Sequence, residues 1–425
     1  MTNAGLWRGI PGLCLALLLC SSGDALLAAE PAGSWPQFLG PTRNGISSET
    51  GLIDSWPAGG LKQAWRVKGG VGMSGIAVAD GKAITMVQRD GRQLVIALDA
   101  GNGKLLWQTA VGAAFQNPMG HGPRATPTIA AGLVHVFTGD GHTATLALAD
   151  GTLQWQHDSL KGLGGRVADY GMVCSPLVDG NNVIVTVGAQ AGTVVAYDTK
   201  TGKPQWSSGQ GDSAGYSSPV VIKLAGKRQL VTFNGQALIG TDPANGNLLW
   251  RYEYKTDYDC NIMTPLSVKG QVFISAGENH GSTLLSVVEE NGKYQLKETW
   301  ESLGVQSVLR CEWQTPIQLG GYLYGFDNVG GAGPISHLTC IEAATGRRVW
   351  QQTRFGKGNM IAADGKLIMT TLKGELVIVK ASHQGFEELG RQQALDRTRQ
   401  APSLAGGLLY VRDDQEIACF DLRKQ

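Results

Sequence analysis

Apolar and polar positions alternate along most of this chain in short runs, the period of strands that bury one face. The stretch VVAYDTKTGKPQW, from Val194 to Trp206, shows the unit of the pattern: a strand, a turn over Asp198 to Gly202, and a second short strand closed by a tryptophan. Asp bonds its own backbone a few residues on and Gly takes the positive φ of a tight turn, so this spacing predicts a hairpin. The hairpin recurs: LVIALDAGNGKLLW ends at Trp107, TLALADGTLQW at Trp155, ALIGTDPANGNLLW at Trp250 and LTCIEAATGRRVW at Trp350. Recurrence at an interval of roughly 40–50 residues marks a repeat architecture, in which each unit buries its core only against its neighbours.

Read in order, the units run from Ser74 to Trp107, Thr126 to Trp155, Ser175 to Trp206, Ser218 to Trp250, Thr264 to Trp300 and Thr315 to Trp350, most of them opening on Ser-Pro or Thr-Pro. A seventh, from Met360, finishes near Leu389 without a tryptophan, and a last one from Ala401 stops before its final strand. LKQAWRV, around Trp65, is a final strand without a unit of its own. Joining the two ends closes a ring and leaves no open sheet edge. The expectation is an all-β, eight-bladed β-propeller whose last blade is completed by an N-terminal strand. Trp65, Trp107, Trp155, Trp206, Trp250, Trp300 and Trp350 are the expected blade-to-blade docking residues.

Three segments follow. Residues 1–29 read as an export signal, with Arg8 as the positive flank, an apolar core from Ile10 to Cys20, and Leu27-Ala28-Ala29 at its end. Cleavage there implies a periplasmic or secreted protein. Cys20 after Leu17-Leu18-Leu19 is the lipidation alternative, and membrane association is expected only through it. Residues 30–60, with Trp35-Pro36-Gln37-Phe38, Trp56 and Pro57, have no period and read as an irregular arm pinned to the ring by its aromatics. Residues 61–425 form the single propeller, expected to be monomeric.

Charge is nearly balanced at +1 with 17% charged residues, which gives nucleic acid and anionic membrane no broad field to respond to. The 60 glycines suit a chain that turns every few residues while keeping 42% apolar content. Five cysteines remain beyond the signal, no two of them adjacent, and they read as small buried side chains.

The D-x-x-x-G-x-x-x-W hairpin followed by a [ST]-P strand resembles the tryptophan-docking repeat of the PQQ-type (quinoprotein) propellers. The match extends over nearly the whole chain from Trp65 onward. That resemblance spans two kinds of protein: the quinoprotein alcohol and glucose dehydrogenases, and a non-catalytic lipoprotein that helps assemble β-barrels into the outer membrane. The arm WPQFLGPTRNG is similar to that of short exported PQQ-like repeat proteins. In all of these the repeat tryptophan is structural, so it says nothing of catalysis. A working quinoprotein of this type stacks its quinone against a ring of two adjacent disulfide-linked cysteines and binds calcium through Glu, Asn and Asp. Neither adjacent cysteines nor a haem-attachment C-x-x-C-H is present in this sequence.

In an antiparallel four-stranded blade, the first and third turns share one face, and the second turn and the blade-to-blade connection share the other. The first set is short and regular here. The second is long and varied, as in FQNPMGHGPRATP, DYDCNIMTP and LGVQSVLRCEWQTP. Variable loops on a rigid scaffold carry binding, so the site is expected on this face, around the channel mouth. Arg124, Asp169, Asp257, Asp259, Arg310, Glu312 and Arg399 stand just before the innermost strands, with Tyr170, Tyr216 and Trp313 among them. They are the candidates for a small polar ligand or a protein partner of the cell envelope. Their structural alternative is a set of ion pairs that hold the channel shut. His121, His142, His280 and His337 fall on the same face without metal-ligand spacing, and Asp257-Tyr258-Asp259 opens no full calcium loop. No catalytic residue, metal or cofactor is expected. The functional expectation is a non-catalytic scaffold, with a PQQ- and calcium-dependent alcohol or sugar dehydrogenase as the alternative.

Overall fold

The alternating runs become strands because the ring gives each a buried face. In a computed structural model, residues 1–2, 33–209, 211–331, 333 and 335–424 are described. The chain divides into two units, residues 1–31 and 32–425. The first lies almost wholly outside the described residues, and with it the expected export signal and Cys20.

The second unit is built of eight four-stranded antiparallel sheets. Blades 1 to 7 comprise residues 77–113, 128–158, 177–208, 220–253, 266–303, 317–352 and 358–393. Blade 8 takes three strands from residues 403–421, and its fourth is Lys62–Lys68, which pairs with Glu416–Asp421 from Lys62↔Asp421 to Lys68↔Glu416. The ring is therefore closed by pairing between strands far apart in sequence. Burial follows position in the blade. The second strand of blade 1, Lys82–Arg89, is buried over its centre, whereas the outermost, Leu105–Ala113, exposes alternate residues.

The tryptophans and glycines of the repeat meet between blades. The indole N–H of Trp65 donates to Ala100 O (2.9 Å), Trp107 to Leu148 O (3.1 Å), Trp155 to Thr199 O (2.9 Å), Trp300 to Ala343 O (3.0 Å) and Trp350 to Ser382 O (2.9 Å). Each acceptor lies in the next blade around the ring. A Cβ at Gly103, Gly151, Gly202, Gly246 or Gly346 would come within 2.8 Å of the ring of Trp65, Trp107, Trp155, Trp206 or Trp300 respectively. Those glycines also sit at positive φ, so one residue type meets both the turn and the ring. The [ST]-P motif forms an inner counterpart. Gly75 N donates to Thr126 Oγ1, Thr126 N to Ser175 Oγ, Ser175 N to Ser218 Oγ and Thr264 N to Thr315 Oγ1, all at 2.9–3.2 Å, stitching blades 1 to 4 in succession and blade 5 to blade 6 beside the channel.

The seam between blades 4 and 5 departs from this scheme. Trp250 does not hydrogen-bond blade 5: its indole N–H bonds Gln229 Oε1 (2.6 Å) within blade 4, and its ring lies over Gly240. The reason is visible in blade 5, whose outer hairpin is drawn out into strands Gly281–Glu290 and Lys293–Leu303, so the short glycine turn on which a tryptophan docks is absent. Thr264 Oγ1 is correspondingly unpartnered. Tyr254 OH, donating to Gly281 O (2.8 Å), and Ser217 Oγ, donating to Met263 O (2.8 Å), join these blades instead.

Blade 7 has no tryptophan of its own, and the arm supplies one. Trp56 N donates to Leu389 O (3.2 Å), its indole N–H to Gln392 Oε1 (3.2 Å), and its side chain lies directly over Gly390. Trp56→Ala should cost about 2 kcal/mol for a half-buried aromatic. A urea midpoint indistinguishable from the parent protein would show that the arm does not brace this blade.

Candidate functional site

The arm does more than brace one blade. Trp35 pairs with Val78 of the innermost strand of blade 1 (N–H to O in both directions, 2.7 and 2.8 Å), and Ile129 N of blade 2 donates to Pro36 O (2.7 Å). Arg43 donates to Pro176 O (2.9 Å) and Ser175 O (3.0 Å) at blade 3 and to Gln37 Oε1 (3.1 Å). Burial pulls its guanidinium down to about 10, which leaves it charged at neutral pH. Gly45 and Ser47 bond Ala362 of blade 7, and Glu49 accepts from Gly406 N and Gly407 N of blade 8. The arm thus crosses the short-turn face of the ring and closes the channel there.

What remains is a cup of about 730 Å³. Trp35, Phe38 and Leu39 form its floor, and the residues leading into the innermost strands form its wall. Its mouth is on the varied face, where the lining residue Tyr258 is 68% exposed. Of the ten sequence candidates, Arg124, Tyr170, Tyr216, Glu312, Trp313 and Arg399 line this cup, and Asp169, Asp257, Asp259 and Arg310 do not. Asp169 and Asp257 are exposed above it, and Asp259 is half-buried beside Gly235. Arg310 is structural: its Nε and Nη2 clasp the carboxylate of Asp327 at 2.7 and 2.8 Å, with side chains 4% and 1% exposed.

The wall is basic on one side. Arg124 donates to Gly122 O and Gly120 O, and its guanidinium lies 4.8 Å from the centre of the Phe115 ring. Arg399 donates to Met119 O (2.6 Å) and lies 5.0 Å from the Trp313 ring, over which Lys357 Nζ also sits at 4.5 Å. Burial first, then the charge of Arg399, lowers Arg124 to about 10; burial and the neighbouring Arg397 lower Arg399. Guanidiniums gathered on one wall of a cavity are an arrangement that an anion would relieve. Glu312 is already committed, to Lys357 Nζ and Asn328 Nδ2, and burial raises its pKa.

The other side is aromatic and acidic. The Tyr170 and Tyr216 rings are 5.4 Å apart, and Tyr170 N donates to Tyr216 OH (3.3 Å). Tyr258, Cys260 and Glu278 continue this wall. Burial, then Glu278 and Glu312, push the Cys260 thiol up to about 12, so it is no thiolate nucleophile at neutral pH. Lys357, Glu278, Arg397 and the floor residues are cup residues that the sequence reading did not single out. Trp35-Pro36-Gln37-Phe38 was the available signal, and it pointed to the ring without saying that it points into the channel.

The four loop histidines brace their loops. His121 Nδ1 accepts from Asn117 N, His337 Nδ1 accepts from Arg354 N, His142 faces Asp140, and His280 packs on Tyr254. Among the described residues, no three His, Cys, Asp or Glu converge to hold a metal ion.

A family model described as outer membrane protein assembly factor BamB matches residues 57–170, 160–352 and 334–424. The chain belongs to this family of PQQ-like β-propellers. Two curated relatives point in different directions. The dehydrogenase subunit of a quinone alcohol dehydrogenase from Acetobacter aceti is 25% identical over 292 residues, 62% of this chain and 38% of that protein. Outer membrane protein assembly factor BamB of Burkholderia pseudomallei is 24% identical over 221 residues, 50% of this chain and 53% of that protein. The chain therefore matches about half or less of the length of these relatives. Among solved structures, the quinohemoprotein alcohol dehydrogenase of Comamonas testosteroni superposes with a TM-score of 0.67 at 14% identity, over 92% of this chain and 81% of that one. This last likeness is one of fold.

The cup meets only part of what the quinone implied by the resemblance needs. Its basic and aromatic wall suits a planar polyanion. The partners for calcium and for a cysteine-ring stack do not fit: Cys174, Cys260, Cys311, Cys340 and Cys419 are all free, and the buried Glu312 carboxylate is taken by Lys357.

Proposed function

We propose that this protein is an exported, non-catalytic binding propeller of the cell envelope, whose varied face docks a protein partner and whose cup receives a small polar group or ligand. The observation that carries this reading is the cup itself. The arm shuts the channel on the short-turn face, so basic and aromatic side chains from several blades converge on a cavity approached from the varied face. A cavity of this size falls within the range of about 300–1,000 Å³ that holds small ligands. Exposed apolar side chains stand on the blade connections of the varied face, Met119 and Tyr258 in the cup lining and Val167 and Val305 outside it. Exposed apolar groups beside a cavity support a protein contact. No helix among the described residues is long and apolar enough to cross a membrane.

The test is photocrosslinking in cells from Tyr258 and Val305, with Leu105 on the outermost strand of blade 1 as the control. A discrete adduct from the first two and none from Leu105 is expected. Adducts of equal yield from all three, or none from Tyr258 and Val305, would remove the varied face as the docking surface.

A PQQ-dependent dehydrogenase is the second reading, favoured by the match to the Acetobacter aceti subunit over 62% of this chain. Calorimetric titration with PQQ and calcium, read beside dye-linked alcohol and sugar oxidation, separates the two. One-to-one binding with turnover would replace the scaffold reading.

A further inference from the structure

In a ring of eight blades, blades four apart face each other across the channel. The residues leading into blades 7 and 8 bring Lys357, Arg397 and Arg399 to the cup, and the approach to blade 2 adds Arg124. Opposite blades 7 and 8 are blades 3 and 4, whose approaches carry Tyr170 and Tyr216, and blade 5 follows with Tyr258 and Glu278. Three acidic residues, Asp169, Asp257 and Asp259, continue that second side outside the lining. The charges of the cup are thus sorted by blade.

Each half has a recognisable chemistry. The guanidinium donors of Arg124 and Arg399 go to backbone carbonyls, and among the described residues neither is ion-paired to a carboxylate. They present positive charge that no carboxylate pairs directly, beside Trp313, with Glu312 and Asp414 acting on Arg399 only through space. On the other half, two tyrosine rings 5.4 Å apart, a third tyrosine and a carboxylate line one wall. Ring faces beside a carboxylate attract an ammonium, primary or quaternary, through cation–π and Coulomb terms together. The tyrosines are held as neutral phenols: burial first, then the surrounding thiol and carboxylates, raises both Tyr170 and Tyr216. They therefore add no negative charge of their own at neutral pH, and Glu278 is the anionic group in that wall.

We propose that the cup recognises a small zwitterion, its anionic end at Arg124, Arg397 and Arg399 and its cationic end among Tyr170, Tyr216, Tyr258 and Glu278. This deepens, and rests on, the reading of the varied face as the binding face. The shared chemistry is one ammonium and one acidic group within a single small molecule. It has two sources, a short peptide with free termini and a phosphocholine headgroup.

The test is calorimetric titration of the full-length protein with trialanine, its N-acetyl and C-amide forms, and glycerophosphocholine beside glycerol phosphate and choline. The parent zwitterion of one series is expected to bind, and removing either of its charges to weaken binding about tenfold or more. Whichever series binds identifies the source. Arg399→Gln should erase the preference for the free acidic group, and Glu278→Gln the preference for the free ammonium, with melting temperatures near that of the parent protein. Affinity that follows the anionic end alone, with the N-acetyl form binding as well as trialanine and glycerol phosphate as well as glycerophosphocholine, would overturn the zwitterion and leave the cup a plain anion site. No binding by either zwitterion would overturn the inference, and rim adducts from Tyr258 and Val305 would then still stand for the docking face. Loss of both would sink the two readings together.

Discussion

Asp327→Ala is expected to lower the folding stability by about 3–5 kcal/mol, the cost of leaving a buried charge without its partner. Asp327 accepts three hydrogen bonds from Arg310, through its backbone N (3.0 Å), Nε (2.7 Å) and Nη2 (2.8 Å), and a further one from Gln351 Nε2 (3.3 Å). Arg310 Nη1 is occupied by Val305 O (2.7 Å), so the guanidinium has no second anion to turn to. Asp327→Asn keeps the shape and one acceptor while removing the charge, and should fall between parent and alanine. The check is urea denaturation of all three proteins beside Arg399→Ala. The cup arginine is only half-buried, and its loss should leave stability within about 1 kcal/mol of the parent. If Asp327→Ala were no more destabilised than Arg399→Ala, the pair would not be holding blade 6.

Trp35→Ala should cost a similar amount, about 3–5 kcal/mol for a buried aromatic whose cavity cannot collapse. The side chain is 2% exposed and packs within the cluster that joins blades 1, 7 and 8, among them Val78, Ile361 and Leu404. Gly40 passes so close that a Cβ there would lie 2.8 Å from the indole, so the arm is folded around this ring. Collapse is hindered because Trp35 and the residue after it are tied to blades by backbone bonds, Trp35 to Val78 and Pro36 to Ile129. Trp35→Phe should recover more than half of the loss. Thermal melts decide it: a shift no larger than that of Trp56→Ala would mean that the floor rests on Phe38 and Leu39 instead.

These two variants mark where the sequence was transparent and where it was not. The hairpin with its Gly and Trp is a local device, and the eight blades and the closing strand around Trp65 followed from it. Trp250 shows the limit of that logic. Its own hairpin is regular, but docking depends on the next blade, whose strands have been drawn out to a tight turn at Asn291-Gly292. Arg310 and Arg399 both stand a few residues before an innermost strand and look alike as letters. One meets Asp327, a residue 17 positions further along whose side chain the strand Tyr322–Asn328 turns toward it, and the other meets a tryptophan ring. Position in the repeat puts a residue at the channel mouth, whereas partnering across blades decides whether its charge is free for a ligand. Lys357 and Glu278 escaped notice for the same reason: nothing local separates them from the loop charges around them.

The closing strand has a consequence for how the molecule comes into being. Lys62 and Asp421 are paired neighbours separated by nearly the whole chain, and Arg412 bonds Met86 O (2.7 Å) and Gly70 O (2.6 Å) across the same junction. During synthesis the strand around Trp65 has no sheet to join until residues 416–421 have been made. Contacts so distant in sequence are slow to form. Each growing chain must therefore keep an unpaired strand out of trouble while seven blades assemble behind it, and a stop codon before Glu416 would leave that strand permanently without its mate.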